Sequence, residues 1–213
     1  MTIDIKSLVE ALPQRLPVFP LKGAVLLPGS VLPLHIFEPR YRTMVQDVLD
    51  GDRLLAVGFL MDCSTEEYES EPPFREIVCV GHLVHHEPMP DGRSNIALLG
   101  VTAGVATRVL DDRPYRTAMV AARPDHLDPS VDCAEMITRA FKSTVSDGSD
   151  IEALKTQIGP LVGQEGLSAA LINTCALNST IKPWHKQELL EEPDMLKRLE
   201  MLLQFLERRW QWN

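Results

Sequence analysis

Apolar residues follow two different spacings along this chain, and the spacing changes near residue 125. Before that point, short apolar or alternating runs are separated by Pro, Gly or charged residues, which is the pattern of β-strands joined by turns. The predicted strands are 16–21, 31–37, 54–60, 77–85, 96–101, 105–110 and 115–122. Pro-Asp-Gly at 90–92 is a tight-turn signal and predicts that the two strands flanking it form a hairpin.

Helical spacing dominates the second part of the chain. Asp128-Pro129 is typical of a helix start, and apolar residues follow it at intervals of three and four. After a polar linker at 143–150, further helices are predicted around 167–174 and 183–190. The last helix has an apolar stripe surrounded by charged residues: Met195, Leu196, Leu199, Leu202, Leu203 and Leu206, with Lys197, Arg198, Glu200 and Glu207 around them. Strands followed by helices predict an α+β fold, with a β-rich part at 1–125 and a helical part at 126–213.

The stretch LPLHIFEPRYRTMVQDVLDG, residues 32–51, allows two interpretations. Glu38, Arg40, Tyr41 and Arg42 lie within five positions and could form an active site, or they could join a strand to a helix. The second interpretation accounts for every residue, because Pro39 suits the first helical turn and Glu38 complements the positive end of the helix dipole. The predicted buried face of this helix is Tyr41, Met44, Val45, Val48 and Leu49. Arg40 and Arg42 then point away from that face and can pair with Glu38 or with a neighbouring strand.

Composition and charge narrow the function classes. A chain of 213 residues suits one large domain or two small ones, and its formal net charge of −9 argues against a surface that grips nucleic acid. No apolar run reaches the length of a membrane span, and acidic residues interrupt the N-terminal apolar residues, so a cytoplasmic protein is expected. The four cysteines are widely spaced and predict buried, reduced thiols.

The candidates for catalysis and metal binding are weak. On a strand, His82 and His86 would share a face about 13 Å apart, too far to contact one ion, and His85 would point the other way. The sequence contains neither a GxxxxGK[ST] phosphate loop nor a GxSxG nucleophile elbow. We therefore expect no catalytic residue, no metal and no cofactor. The acidic segment 62–76 is interpreted as a solvated insertion between two strands.

Several motifs in order resemble those of the Lon N-terminal (substrate-binding) domain. Residues 16–49, LPVFPLKGAVLLPGSVLPLHIFEPRYRTMVQDVL, are similar to the opening of that family, with Leu27-Pro28-Gly29 at its turn and Glu38-Pro39-Arg40-Tyr41 at its helix start. Val80–Leu83 followed by Pro88–Gly92 resembles the family's hairpin, and Ile96–Val109 resembles the strand pair after it. Ala103 and Gly104 depart from that pattern, in which Arg and an aromatic residue are usual. The C-terminal ELLEEPDMLKRLEMLLQFLERR is similar to the closing helices, so the resemblance spans roughly residues 14–209.

The resemblance implies a PUA-like β-barrel followed by an α-helical bundle. In full-length Lon proteases this module contacts substrates and helps the ring assemble, while the ATPase and protease chemistry lies in other domains. The resemblance therefore implies a stand-alone, non-catalytic recognition module that binds proteins or unfolded polypeptide segments, with no nucleic-acid or membrane partner. Homo-oligomer formation and an adaptor role in proteolysis stay open. The alternative is a nucleic-acid-binding module or an enzyme built on the same barrel.

Two loops are candidates for the polypeptide-binding surface, because recognition without a catalytic pocket needs exposed apolar groups. The first contains Leu26, Leu27 and Pro28, where a turn is expected to hold aliphatic side chains outside any strand. The second is the hairpin tip with Met89 and Pro90, whose flexible thioether suits varied partners. Phe37 and Tyr41 are expected in the core.

Overall fold

The computed structural model describes residues 5–70, 72–128, 130–144 and 151–208 of the chain. The β-strands are β1 (Arg15–Leu21), β2 (Val31–Ile36), β3 (Leu54–Phe59), β4 (Ile77–Pro88), β5 (Ser94–Leu110) and β6 (Thr117–Ala122). The helices are α1 (Ile5–Glu10), α2 (Pro39–Asp50), α3 (Thr65–Ser70), α4 (Ala134–Thr144), α5 (Ile151–Asn178), α6 (Pro183–Glu191) and α7 (Met195–Arg208). The fold is a mixed α+β architecture, as the change of spacing predicts.

All six strands belong to one sheet. The strand order is β2-β5-β4-β3-β1-β6. Strand β5 also pairs with β6, so β6 has two neighbouring strands, β1 and β5. Strands β1 and β3 pair in parallel. A parallel pair needs a long connection, and here β2 and α2 form the connection between the end of β1 and the start of β3. The other pairings are antiparallel. Among the residues that the structure describes, strand β2 pairs with β5 alone and is therefore an edge strand.

The hairpin prediction is confirmed, with Pro88 paired to Ser94 on either side of the predicted turn. The two predicted strands 96–101 and 105–110 are instead one strand, β5. Thr102, Ala103 and Gly104, which lie between the two predicted strands, continue the pairing with β4. This long strand pairs with β2 in its first half and with β6 in its second half.

The helical part differs from its prediction mainly in length. Helix α5 has 28 residues and includes Pro160, whereas the sequence predicted a helix only around 167–174. Helix α4 begins at Ala134, later than the Asp128-Pro129 signal indicates. Pro129 and residues 145–150 of the predicted linker lie outside the described residues. No helix in the described ranges is long and apolar enough to cross a membrane.

Two groups of buried side chains hold the fold together. The larger group is continuous from the sheet and α2 into α4, α5, α6 and α7, so that strand residues such as Leu83 and helix residues such as Leu199 share one core. The smaller group lies on β1, β3, β4, β5 and β6 and is covered by apolar side chains of α1. Helix α2 contributes Tyr41, Met44, Val45 and Val48 to the larger core, which confirms four of its five predicted buried positions.

Candidate functional site

The first predicted binding loop is buried, so the expectation that its leucines are exposed is wrong. Leu26 and Leu27 each have 0% of their surface exposed, and Pro28 is half-buried. The turn can be buried because its polar groups form hydrogen bonds with other groups of the protein. The Ser30 hydroxyl donates to the Leu27 carbonyl over 2.6 Å, and the Gly29 N–H donates to the Gly100 carbonyl over 2.8 Å.

Helix α5 holds this turn from the other side. The Asn173 side-chain amide donates to the Pro28 carbonyl over 2.8 Å. Gly29 has a φ of +72°, and a Cβ there would lie 2.7 Å from the Ala170 Cβ, so only glycine fits this close approach. The turn therefore joins the sheet to the helical part, and its aliphatic side chains are core residues.

The second predicted loop is at the surface. Pro90 is exposed and Met89 is half-buried. The turn is closed by the Met89 N–H, which donates to the Arg93 carbonyl over 2.8 Å, and by an ion pair of Arg93 with Asp91 at 2.6 Å. The Arg42 guanidinium of α2 lies directly over Gly92, where any side chain would overlap it. The hairpin tip is thus a closed turn that presents Pro90 and part of Met89 to solvent.

Phe37 has the most exposed side chain among the large apolar residues in the described part of the chain. Its side chain is 60% exposed, although it was expected in the core. Ile36 pairs with Ser94, and Ser94 pairs with Pro88, so Phe37 and Met89 both leave the sheet at the same end. Period-two alternation along β2 could have identified Phe37, because the outward positions continue from residues 31, 33 and 35 to 37.

Polar side chains lie near Phe37 on β2 itself and on the strands β5 and β4. The His35 ring stacks on Phe37 with 6.3 Å between ring centres, and His35 Nδ1 is 2.8 Å from the Asn95 side-chain oxygen. Asn95 in turn donates from its amide nitrogen to the Glu87 carboxylate over 3.1 Å. An exposed aromatic ring at the same end of the sheet as a half-buried methionine, with hydrogen-bonded polar groups near the ring, can bind apolar side chains of a partner.

Glu38, Arg40 and Arg42 are found at the strand–helix junction, where the structural interpretation expects them. Arg40 pairs with the Glu38 carboxylate at 3.0 Å and donates to the Tyr68 carbonyl over 2.8 Å. The Tyr68 hydroxyl donates to the other Glu38 oxygen over 2.6 Å. Glu38 is the N-cap residue of α2, but its side chain makes no capping hydrogen bond, because it is directed to Arg40 and Tyr68. The acidic segment is thus anchored through α3 and is more than a solvated insertion.

We expect Glu38→Ala to lower the free energy of unfolding by about 1 to 2 kcal/mol, because it removes a charged acceptor from two hydrogen-bond donors. Chemical denaturation measures this change. Glu69→Ala, at an exposed position on α3 next to Tyr68, is the matched control and should change stability by less than about 0.5 kcal/mol. If both variants are equally stable, the junction does not depend on Glu38.

The buried thiols and the buried Tyr41 hydroxyl are not activated as nucleophiles. All four cysteines are free, and Cys79, Cys133 and Cys175 are buried. Burial raises the pKa of Cys175 to about 12 and also raises the pKa of Tyr41, so both groups are protonated at neutral pH. Within the described part of the chain, no group of three or more His, Cys, Asp or Glu side chains is arranged to hold a metal ion.

The sequence profile of the family described as "ATP-dependent protease La (LON) substrate-binding domain" matches residues 15–208. The chain therefore belongs to this family, in agreement with the resemblance of its motifs. It is 26% identical over 211 residues to the Lon protease of Cytophaga hutchinsonii and 27% identical over 203 residues to that of Roseiflexus castenholzii. These alignments cover 93% and 92% of this chain but 25% and 24% of the relatives, so the chain spans about a quarter of their length.

Two solved structures have the same fold. The N-terminal domain of Mycobacterium avium complex Lon protease superposes with a TM-score of 0.65 at 15% identity, covering 91% of this chain and 98% of that one. The Lon N-terminal domain protein from Xanthomonas campestris superposes with a TM-score of 0.59 at 22% identity, covering 90% and 98%.

Proposed function

We propose that this protein is a polypeptide-recognition module that binds exposed apolar segments of other proteins and takes no part in bond cleavage itself. Membership of a substrate-binding family supports recognition of protein substrates. The proposed binding surface rests on the exposure of Phe37, an aromatic side chain that is 60% exposed at the same end of the sheet as the hairpin tip. We name Phe37, Met89 and Pro90 the hairpin-end surface. Leu26, Leu27 and Pro28 are not included in it, because the two leucines are buried.

We also propose that the strand pairings form the PUA-like barrel and that α4–α7 form a helical bundle, with the boundary near residue 125. The pairing of β6 with both β1 and β5 supports the barrel, because it leaves neither β1 nor β6 without two neighbours. The contacts of α4 with α5 and α7, and of α6 with α7, support the bundle. An adaptor role, in which bound clients are passed to a protease, extends the same proposal.

The test of the hairpin-end surface is the binding of fluorescein-labelled casein, an unfolded client, measured by fluorescence polarisation. We expect the double variant Phe37→Ser/Met89→Ser to bind about tenfold more weakly or worse, because interface positions with buried aromatic anchors contribute most of the affinity. Its melting temperature should stay close to that of the wild type, since Phe37 is mostly exposed.

Met61→Ser is the matched control for this experiment. Met61 is 46% exposed and lies just after the end of β3. Because β3 and β4 are antiparallel, the end of β3 lies beside the start of β4, whereas the hairpin tip follows the end of β4. We expect it to bind casein as the wild type does. Equal losses in the control and the double variant would mean that binding depends on general surface hydrophobicity, and unchanged binding in the double variant would overturn the proposed surface.

A further inference from the structure

One edge of strand β2 has free backbone groups. The Gly100 N–H donates to the Ser30 carbonyl over 2.9 Å, and residue pairing continues from Val31–Leu99 to Ile36–Ser94. In an antiparallel ladder, positions alternate between bonded and non-bonded pairs. Leu32, Leu34 and Ile36 therefore bond to β5, and the peptide groups of residues 31, 33 and 35 face outward.

Pro33 supports this assignment independently. It has no N–H, and a proline within a sheet is tolerated where its nitrogen faces away from the neighbouring strand. The free edge thus offers an N–H and a carbonyl at Val31, a carbonyl at Pro33, and an N–H and a carbonyl at His35. No other backbone bond to residues 31–36 is made within the described ranges.

A pocket of ≈ 270 Å³ lies against the first half of this edge. It is lined by Val31, Leu32 and Pro33 of β2, by the loop 23–25 and by the end of α5. The Lys186 side chain of α6 also lines the pocket. The pocket is large enough for the side chain and terminal group of an extended segment running along β2.

Lys186 supplies a positive charge that lacks a counterion among the described residues. Its ammonium is half-buried and donates to the Leu177 carbonyl. Burial lowers its pKa, and no neighbouring carboxylate offsets this effect. A half-buried charge without an opposite charge is unfavourable, and a carboxylate arriving in the pocket would relieve that cost. An ammonium has donors to spare after one bond to a carbonyl.

We propose that the free edge of β2 binds an extended polypeptide as an added antiparallel strand, with the C-terminal carboxylate of that polypeptide at Lys186. Antiparallel pairing brings the C-terminus of the segment to the Val31 end, where the pocket lies. The added strand exchanges two hydrogen bonds with Val31, donates one to Pro33 and exchanges two with His35. Backbone pairing with carboxylate capture is a known combination of peptide-recognition modes. This inference rests on the proposed recognition of polypeptides and specifies how one class of segment, a chain end, is bound.

The first experiment compares two forms of one probe by fluorescence polarisation. The probe is a hexapeptide of alternating Thr and Val, labelled with fluorescein at its N-terminus, with either a free C-terminal carboxylate or a C-terminal amide. We expect the carboxylate form to bind at least about fivefold more tightly, and Lys186→Met to abolish this preference. Lys142→Met, an exposed lysine on α4, is the control and should retain the preference. Equal affinity for the two forms in the wild type would overturn the proposal.

A second experiment leaves the protein unchanged, so that a folding defect in Lys186→Met cannot decide the result. N-methylation of the probe at alternate residues removes either the N–H groups that face β2 or those that face away. We expect one methylation pattern to weaken binding at least about tenfold and the other to leave it within about twofold. Equal effects of both patterns, or no binding of the probe at all, would overturn strand addition. If casein still binds through Phe37 and Met89 in that case, the proposed function stands and only the edge site fails.

Discussion

Arg198→Met is expected to lower the free energy of unfolding by about 3 to 5 kcal/mol, the largest effect of any substitution considered for this protein. Arg198 lies on α7 with 0% of its surface exposed. Its guanidinium forms a two-point ion pair with Asp125 at 2.5 and 2.8 Å, and it donates to the Asn173 side-chain oxygen over 2.8 Å. Methionine fills a similar volume but leaves the Asp125 carboxylate, itself 11% exposed, without its counterion.

Urea denaturation followed by circular dichroism measures this effect. Arg139→Met is the matched control, because Arg139 on α4 pairs with Glu207 on α7 at the surface, with side chains 62% and 57% exposed. An exposed pair of this kind contributes at most about 1 kcal/mol. The double variant Arg198→Met/Asp125→Leu should recover part of the loss, because it removes the unpaired charge. If Arg198→Met is as stable as the control, the buried ion pair does not hold the two parts of the chain together.

Leu27→Ala is expected to lower the free energy of unfolding by about 2 to 5 kcal/mol, the cost of truncating a fully buried leucine. Leu27 lies in the core shared by the sheet and the helices, and its turn is held by Gly100 and Asn173 on either side. Val109→Ala is the control, since Val109 is an aliphatic strand residue that is 36% exposed. Its truncation should cost less than about 1 kcal/mol.

The same variant separates a structural role of Leu27 from a binding role. If the side chain belongs to the core, the melting temperature falls, and casein binding at a temperature where the variant is folded stays near the wild-type value. A variant with normal stability and lost casein binding would instead support the interpretation of this loop as a contact surface.

The junction at Glu38 and Arg40 shows which features a local sequence pattern predicts and which it does not. The strand, the helix start at Pro39 and the buried face of α2 follow from alternation and from three-and-four spacing, and the sequence predicts all of them. The partner that completes the junction does not follow from the sequence. Tyr68 lies 30 positions from Glu38. It belongs to the acidic segment 62–76, which the sequence predicts to be a solvated insertion.

The exposure of the candidate binding residues depends more strongly on tertiary structure than the strand–helix junction does. A turn with Pro and Gly indicates only that the chain reverses direction, and burial depends on what packs against that turn. The element that packs against the turn of Leu26 and Leu27 is α5. Its residues Asn173 and Ala170 contact Pro28 and Gly29, more than 140 positions earlier in the chain. The sequence places Arg198 among the polar residues around the apolar stripe of α7, because an arginine is rarely fully buried without a partner. Its partner, Asp125, comes from the segment that follows β6.

The sequence by itself determined the class of fold, the change from strands to helices near residue 125, the tight turn of the hairpin and the family of the protein, because these depend on spacing and on short motifs. Only the tertiary structure decided which apolar residues are exposed, which ion pair is buried and which strand has a free edge. Those properties depend on contacts between residues distant in sequence, and a local pattern of polar and apolar positions does not contain them. Phe37 at the surface and Leu27 in the core are both apolar residues, and their opposite locations follow from what lies next to each in the folded protein.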